Sequence, residues 1–321
     1  MNKNLRKFML RLFLFAIVVI IAIMIQVMAG IFIIGCQYQG DYMASAIDKI
    51  ARLKSIDVPK IILVGDSNLA FGMNSKMLED ALSMPVVNLG FHAGLGNVFH
   101  ENMAKLGINS GDIVIVIHSD YADDDELGDI SLAWQTVEYH KDLWEIIREK
   151  DYLDMIRGWP KYWLRSFLLW ITLQGNKTNP PPYSRAAFNE YGDLVDKPES
   201  MKYPLDLVFK PGNVGVPTIN DTCVNRLNRL NRYVNKRGAV LLVAGKPIGL
   251  GEYTPPAEEY VKFQKELAEK LDCDVISDFR DYFIPYEYFY NTSAHLDERG
   301  TEIRTRQLIK DLMKWKEGRK Q

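Results

Sequence analysis

The sequence predicts an α/β body, a three-layer sandwich around a mostly parallel sheet, carried behind one membrane-spanning helix. Three observations lead there. Short apolar runs alternate with helical patterns over residues 58 to 118 and again over 217 to 315. Those runs are apolar on both faces, as strands are when helices cover both sides of a parallel sheet. Ahead of them all lies a charge-free run of 24 residues, Leu12 to Gly35.

At a rise of about 1.5 Å per residue that run makes roughly 36 Å of helix, enough to cross a hydrocarbon layer of about 30 Å with some tilt. Gln26 is its one polar side chain. Lys3, Arg6, Lys7 and Arg11 precede it, and Asp41 and Asp48 follow. Basic residues stay on the cytoplasmic side, so the N-terminus is expected inside and the body and C-terminus outside, extracytoplasmic. The length favours a retained anchor over a cleaved signal, whose apolar part is about 7–15 residues. Ile33-Ile34-Gly35-Cys36 also resembles a lipoprotein processing site with Cys36 as the lipid acceptor. A net charge of -2 excludes a general polyanion binder, so no nucleic acid is expected as a partner.

Residues 1–36 therefore read as anchor or signal, 37–57 as a helical connector and 58–321 as the α/β domain. Strands are expected over Lys60–Val64, Pro85–Leu89, Asp112–Ile117, Ala239–Ala244 and Asp274–Ser277. Helices are expected over Asp41–Leu53, Ser75–Leu82, Asn97–Leu106, Asn220–Asn235, Pro256–Leu271 and Leu296–Trp315. The alternation lapses between 121 and 216, an insertion after the third strand. Five of the six tryptophans, Trp134, Trp144, Trp159, Trp163 and Trp170, fall inside it. Gly158 and Pro160 fit a helix start. From there Trp159, Trp163, Phe167 and Trp170 share one helical face. That face packs on the domain, meets a membrane surface or a membrane-protein partner, or stacks sugar rings. In the last case Trp163 and Trp170 are substrate-binding residues.

Cys36, Cys223 and Cys273 have no metal-site spacing, and no metal or cofactor is expected. In an exported body Cys223 and Cys273 form either a disulfide or two buried thiols.

Two segments carry chemistry. Ile61-Ile62-Leu63-Val64-Gly65-Asp66-Ser67-Asn68 places a serine at the carboxyl end of a strand, where open α/β sheets bind ligands. The plain alternative is a strand-to-helix turn in which Asp66 or Ser67 only caps. Near the C-terminus, Asn291-Thr292-Ser293-Ala294-His295 precedes the closing helix. A serine hydroxyl needs a base, and His295 alone of the five histidines lies in a loop at the far end of the chain.

In order, Gly65-Asp66-Ser67, Asn88-Leu89-Gly90 and His295-Leu296 with Gly300 resemble blocks I, II and V of the SGNH (GDSL) hydrolase superfamily. The resemblance is greatest to its membrane-anchored branch, which acts in cell-envelope acylation and includes lipoteichoic acid D-alanylation and alginate O-acetylation proteins. It implies a flavodoxin-like SGNH fold and a serine esterase or O-acyltransferase acting on a cell-surface glycan. A multi-pass membrane acyltransferase is the implied supplier of acyl groups. Ser67 becomes the nucleophile, His295 the base, and the Ser67 and Gly90 N–H groups oxyanion donors.

Two positions depart from the family. Its third block places an asparagine after the third strand, where this chain has His118-Ser119-Asp120, so the third donor is either missing or replaced, with His118 serving as the substitute donor or only structurally. Its aspartate, three or four residues before the histidine, is here Asn291 or Thr292. In serine proteases that change costs about 10⁴ in kcat. Either Asp278, Asp281 or Asp297 takes the role, or a backbone carbonyl holds the ring, or the enzyme is slow; the alternative is a weak or inactive relative serving as a glycan-binding scaffold.

Overall fold

The computed structural model describes residues 3–138, 140–177, 179–210, 212 and 214–319. Its centre is a five-stranded parallel sheet, β1 (Ile61–Gly65), β2 (Val86–Asn88), β3 (Ile113–Ile117), β4 (Val240–Val243) and, edging it, β6 (Asp274–Val275). The spatial order is β2-β1-β3-β4-β6. In register, Leu63 sits between Asn88 and Ile115, and Leu242 joins Ile115 to Asp274. A separate pair of parallel strands, β5 (Ile248–Leu250) and β7 (Phe283–Pro285), lies outside this sheet and was not anticipated from sequence.

Strand alternation divides the apolar residues between two cores. Ile62, Val64, Val114, Val116 and Val243 face one core, beneath the helices Ser45–Ser55, Gly96–Lys105, Asp221–Asn235 and Ala257–Lys270. Ile61, Leu63, Ile113, Ile115 and Leu242 face the other, beneath Ser75–Leu82 and Glu298–Gly318. Every residue of β1 and β3 is buried. That explains the unbroken apolar runs, and it yields three layers. Gly65 is required where β1 meets β3, because a Cβ there would lie 2.4 Å from the Ile117 carbonyl oxygen.

At the amino rim of the sheet, Lys60 and Asp112 form a fully buried ion pair with Nζ 2.9 Å from Oδ2. Asp112 Oδ1 also accepts the Lys60 backbone N–H at 2.9 Å. At the carboxyl rim the strand order reverses direction around β1, the position where α/β sheets open a crevice.

Among the described residues one helix is long and apolar enough to span a bilayer, Lys3–Ile34. Its last turn, Gly30–Ile34, is π-helical, and Gly35 leaves it at φ 64°. The insertion supplies the helices Ile130–Val137, Lys141–Trp144, Tyr152–Ile171 and Leu205–Val208 joined by long loops.

The tryptophan-rich helix begins at Tyr152, earlier than expected, and Pro160 lies inside it. Gly158 is a point of close approach to the Ile130–Val137 helix, not a start signal: a Cβ there would lie 2.5 Å from Ile130. Trp134, stacked on Tyr162 at 5.1 Å, donates its indole N–H to the Met155 carbonyl at 2.7 Å. These contacts hold the turn preceding Pro160, so tertiary packing overrides the proline signal. No disulfide joins Cys223 to Cys273.

Candidate active site

The serine loop and the histidine loop meet at the carboxyl rim. Ser67 is the first residue of the short helix Ser67–Gly72, which runs on from β1. Its N-cap is Asp66, whose carboxylate accepts the Asn68 backbone N–H at 2.8 Å. The Ser67 N–H belongs to the first helical turn, whose donors have no acceptor within the helix.

His295 comes from the loop before Glu298–Gly318. A one-residue bridge between Phe289 and Leu296 pins the loop, with Tyr290 donating its N–H to the His295 carbonyl at 2.8 Å. Ser67 Oγ and His295 Nε2 are 2.8 Å apart, and His295 Nδ1 lies 2.7 Å from Asn291 Oδ1.

The protonation pattern follows from donors and acceptors. Asn291 commits its Nδ2 to the Tyr183 hydroxyl at 2.9 Å, so its Oδ1 faces the imidazole and accepts from Nδ1–H. Nε2 then carries the lone pair and accepts the serine hydroxyl. This is the tautomer a general base needs. The ring also stacks flat on Phe71, centroids 3.8 Å apart and planes 2° apart.

What is lacking is charge. Burial pushes the imidazole down to about 3; Lys197 and His92 act in the same direction, and Asp66 opposes them. Burial alone would raise the Asp66 carboxyl, but hydrogen bonds from Ser119 and Asn68 hold it below the usual range. His295 is therefore a neutral imidazole whose lone pair faces the Ser67 hydroxyl.

The serine helix is fixed from beneath by buried cations. Arg304 donates to the carbonyls of Asn68 and Gly72 and to Asn68 Oδ1. Arginine can only donate, so the Asn68 amide nitrogen must turn the other way, towards Asp66 Oδ1 at 2.6 Å and the Ile117 carbonyl at 3.2 Å. Lys197, from the insertion, donates to the carbonyls of Phe71 and Leu296 and so ties the serine helix to the histidine loop. Burial lowers its amine to about 8.

The other sequence-derived candidates lie in different settings. The Gly90 N–H donates to Asn88 Oδ1 at 2.8 Å, so in this arrangement it is engaged within its own loop. His118 is buried with Nε2 3.1 Å from Glu101 Oε1, and Glu101 in turn pairs with Arg226. Of the three donors weighed, the Ser67 N–H is the one without such a partner among the described residues. Asp278 is paired with Arg280, Asp281 accepts from Gln307, and Asp297 caps the closing helix at Gly300. Asn291 holds the ring instead. Trp163 donates its indole N–H to the Gln26 carbonyl of the apolar helix and stacks on Phe167, which neighbours Trp170. The tryptophan row thus leads to the N-terminal apolar helix.

A cavity of about 160 Å³ borders the site, lined among others by Asn68, Ser119, Lys246, Tyr260, Ser293 and Ala294. Lys246 donates to the Ser119 carbonyl at 2.7 Å, and burial lowers its amine. Sequence reasoning missed Tyr183, Lys197, Lys246 and Arg304. Asn68 closes the quoted serine segment and Arg304 lies four residues past Gly300, but Tyr183 and Lys197 come from an insertion without pattern. Away from this rim, Cys36, Glu138 and His140 bring ligand-type atoms within 4.8 Å of one another. Glu138 there already accepts from the Gln37 N–H at 2.9 Å.

Comparison with protein-family models, curated proteins and solved structures finds no match to this chain, so the geometry stands without a relative beside it.

Proposed function

We propose that the chain is a membrane-anchored serine esterase or O-acyltransferase of SGNH type, working outside the cytoplasmic membrane on a cell-surface glycan. The observation that carries the reading is the line from Ser67 Oγ through the His295 ring to Asn291 Oδ1, with both contacts under 3 Å. Ser67 Oγ attacks the acyl carbonyl as its proton passes to His295 Nε2. The oxyanion that forms faces the Ser67 N–H at the helix start. The leaving group takes the proton from Nε2 as the tetrahedral intermediate collapses to acyl-Ser67. A sugar hydroxyl, or water, then gives its proton to Nε2 and attacks the ester, and Nε2 returns the proton to Ser67 Oγ as it leaves. Transfer and hydrolysis differ only in which of the two reaches the site.

The small cavity suits a short acyl group, acetyl above all, better than a fatty chain. The acyl donor is one that a multi-pass membrane acyltransferase could supply. A fluorophosphonate probe tests the reading, because only an activated serine reacts. Labelling of the wild type at Ser67, lost in Ser67→Ala and His295→Ala, is the expected result. No labelling of the wild type would overturn it.

One observation favours a second reading. Asn291 bears no charge and His295 titrates at about 3, a combination that weakens catalysis. On that reading the chain is a scaffold that binds the glycan, and Ser67→Ala would still complement a deletion.

A further inference from the structure

We infer that the insertion helix Tyr152–Ile171 lies in the outer interface of the bilayer, so that the body is seated on the membrane at two points and not tethered by one. The juxtaposition behind this is the contact between Trp163 and Gln26. The basic flank ends at Arg11, which sets the inner boundary of the apolar span near Leu12. About 20 helical residues cross a hydrocarbon core, so the outer boundary falls near Ile31. Gln26 is five residues short of that point. At about 1.5 Å each, Trp163 meets the anchor roughly 8 Å inside the hydrocarbon edge. Interfacial helices bury their apolar face about 5–10 Å, so the depth agrees.

The face composition points the same way. Met155, Tyr162 and Ser166 are buried against the body. Turning about 100° per residue, the next arc holds Trp170, Trp163, Ile156 and Phe167, followed by Leu153, Ile171, Leu164 and Leu168. Leu164 and Leu168 are 53% and 52% exposed, and Leu173, just past the helix, is 82% exposed. A face this apolar is costly against water. Arg157 interrupts that arc between Leu164 and Leu168 and pairs with Asp154 at 3.1 Å, while Lys161 and Arg165 lie just beyond it, placed to reach up to phosphate headgroups. Continuity with the spanning helix identifies the occupant as lipid. Asn176 closes the far end by donating to the Cys36 and Gln37 carbonyls, so the helix cannot swing away from the anchor's exit.

The inference is independent of any chemistry at Ser67. Its consequence is that the rim bearing Ser67 and His295 is held at a set height and orientation over the bilayer, which favours substrates presented at that surface.

The test uses the full chain in nanodiscs of phosphatidylcholine with phosphatidylglycerol. A fraction of the lipid carries a photoactivatable diazirine in the acyl chain, and adducts are mapped by mass spectrometry. Adducts are expected in two places, the spanning helix and the segment Leu153–Leu173. The helix Ala257–Lys270, whose Val261 is 42% exposed, is the water-facing control. Adducts over Leu153–Leu173 no more frequent than over Ala257–Lys270 would overturn the inference. They would also be the outcome if the face serves a protein partner absent from the nanodisc. A Leu164→Asp/Leu168→Asp variant changes two exposed positions and should lower adducts in that segment about fivefold or more, with anchor labelling unchanged. Unchanged adducts in both segments would equally sink it.

Discussion

The two rims of the central sheet treat charge in opposite ways. At the amino rim, Lys60 and Asp112 are both fully buried and answer each other directly, with the Lys60 backbone N–H as a further donor to the carboxylate. At the carboxyl rim, His295 is also almost fully buried, yet its partner is the neutral Asn291. The first rim is satisfied electrostatically and offers nothing to a ligand. The second is satisfied geometrically, through hydrogen bonds, but holds the imidazole uncharged. One sheet thus carries a rim that stabilises the fold and a rim left open to chemistry, and the difference lies in whether a counter-charge is present.

Removing the reactive pair is the largest expected break. Ser67→Ala or His295→Ala should lower turnover of an acetyl ester by on the order of 10⁴–10⁶, roughly 5.5–8 kcal/mol, while the melting temperature of Ser67→Ala barely moves. Activity persisting above 1% in both variants would place the chemistry elsewhere.

The opposite rim should answer in stability and not in rate. Asp112→Ala strands a buried ammonium and is expected to cost about 3–5 kcal/mol in denaturant unfolding in micelles. Replacing both partners, as Lys60→Met with Asp112→Leu, should recover most of that loss. Probe-labelling rates of the folded protein should stay within about twofold of wild type. A single variant as stable as the wild type would mean that the pair is not dry.

Supplying the missing charge sharpens the contrast. Asn291→Asp gives the imidazole an anionic neighbour and lets Tyr183 turn its hydroxyl to donate. An opposite charge shifts a pKa by about 1–3 units, so the acid limb of the rate profile should move up from about 3 towards neutrality. Turnover at pH 7 should rise about tenfold or more. A profile that does not move would show that Asn291 does not face the ring in solution.

Stability should follow pH in a related way. With its folded value depressed below 6.5, His295 stays neutral where the unfolded chain binds a proton. Stability is then full above about 6.5 and falls as pH is lowered towards 3, by up to about 1.4 kcal/mol per pH unit from this group. Burial of His100, lowered to about 4, adds a similar slope. His295→Asn should flatten the dependence, as read from urea midpoints between pH 4 and 7.

The smallest effect belongs to Tyr183. Tyr183→Phe leaves the Asn291 amide without its acceptor and should reduce turnover about three- to tenfold, near 1 kcal/mol. An unchanged rate would mean that the histidine loop orients Asn291 unaided.

Much of this architecture was legible in the chain. The helix Ser75–Leu82 coincides with its expected bounds, and β1 to β4 lie within about a residue or two of theirs. Their burial on both faces leaves a pattern that composition alone reveals. β5 and β7 were not foreseen, since a three-residue strand is too short to show a period. Within the site, Ser67 and His295 were legible because each closes a patterned element. Tyr183 and Lys197 were not, because they reach the rim from loops whose course depends on contacts with distant residues, such as Asn88 N–H to the Tyr191 carbonyl.

The chain by itself determined the long apolar helix, the buried strands and the placement of a serine and a histidine at element ends, all consequences of local hydrophobic period and turn chemistry. Only the tertiary structure decided that Gly90 and His118 spend their donors elsewhere, that Asn291 and not a nearby aspartate meets the ring, and that Trp163 lies against the N-terminal apolar helix. The physical reason is that hydrogen-bond partners and burial are properties of pairs brought together across long stretches of chain, and no window of sequence contains both members.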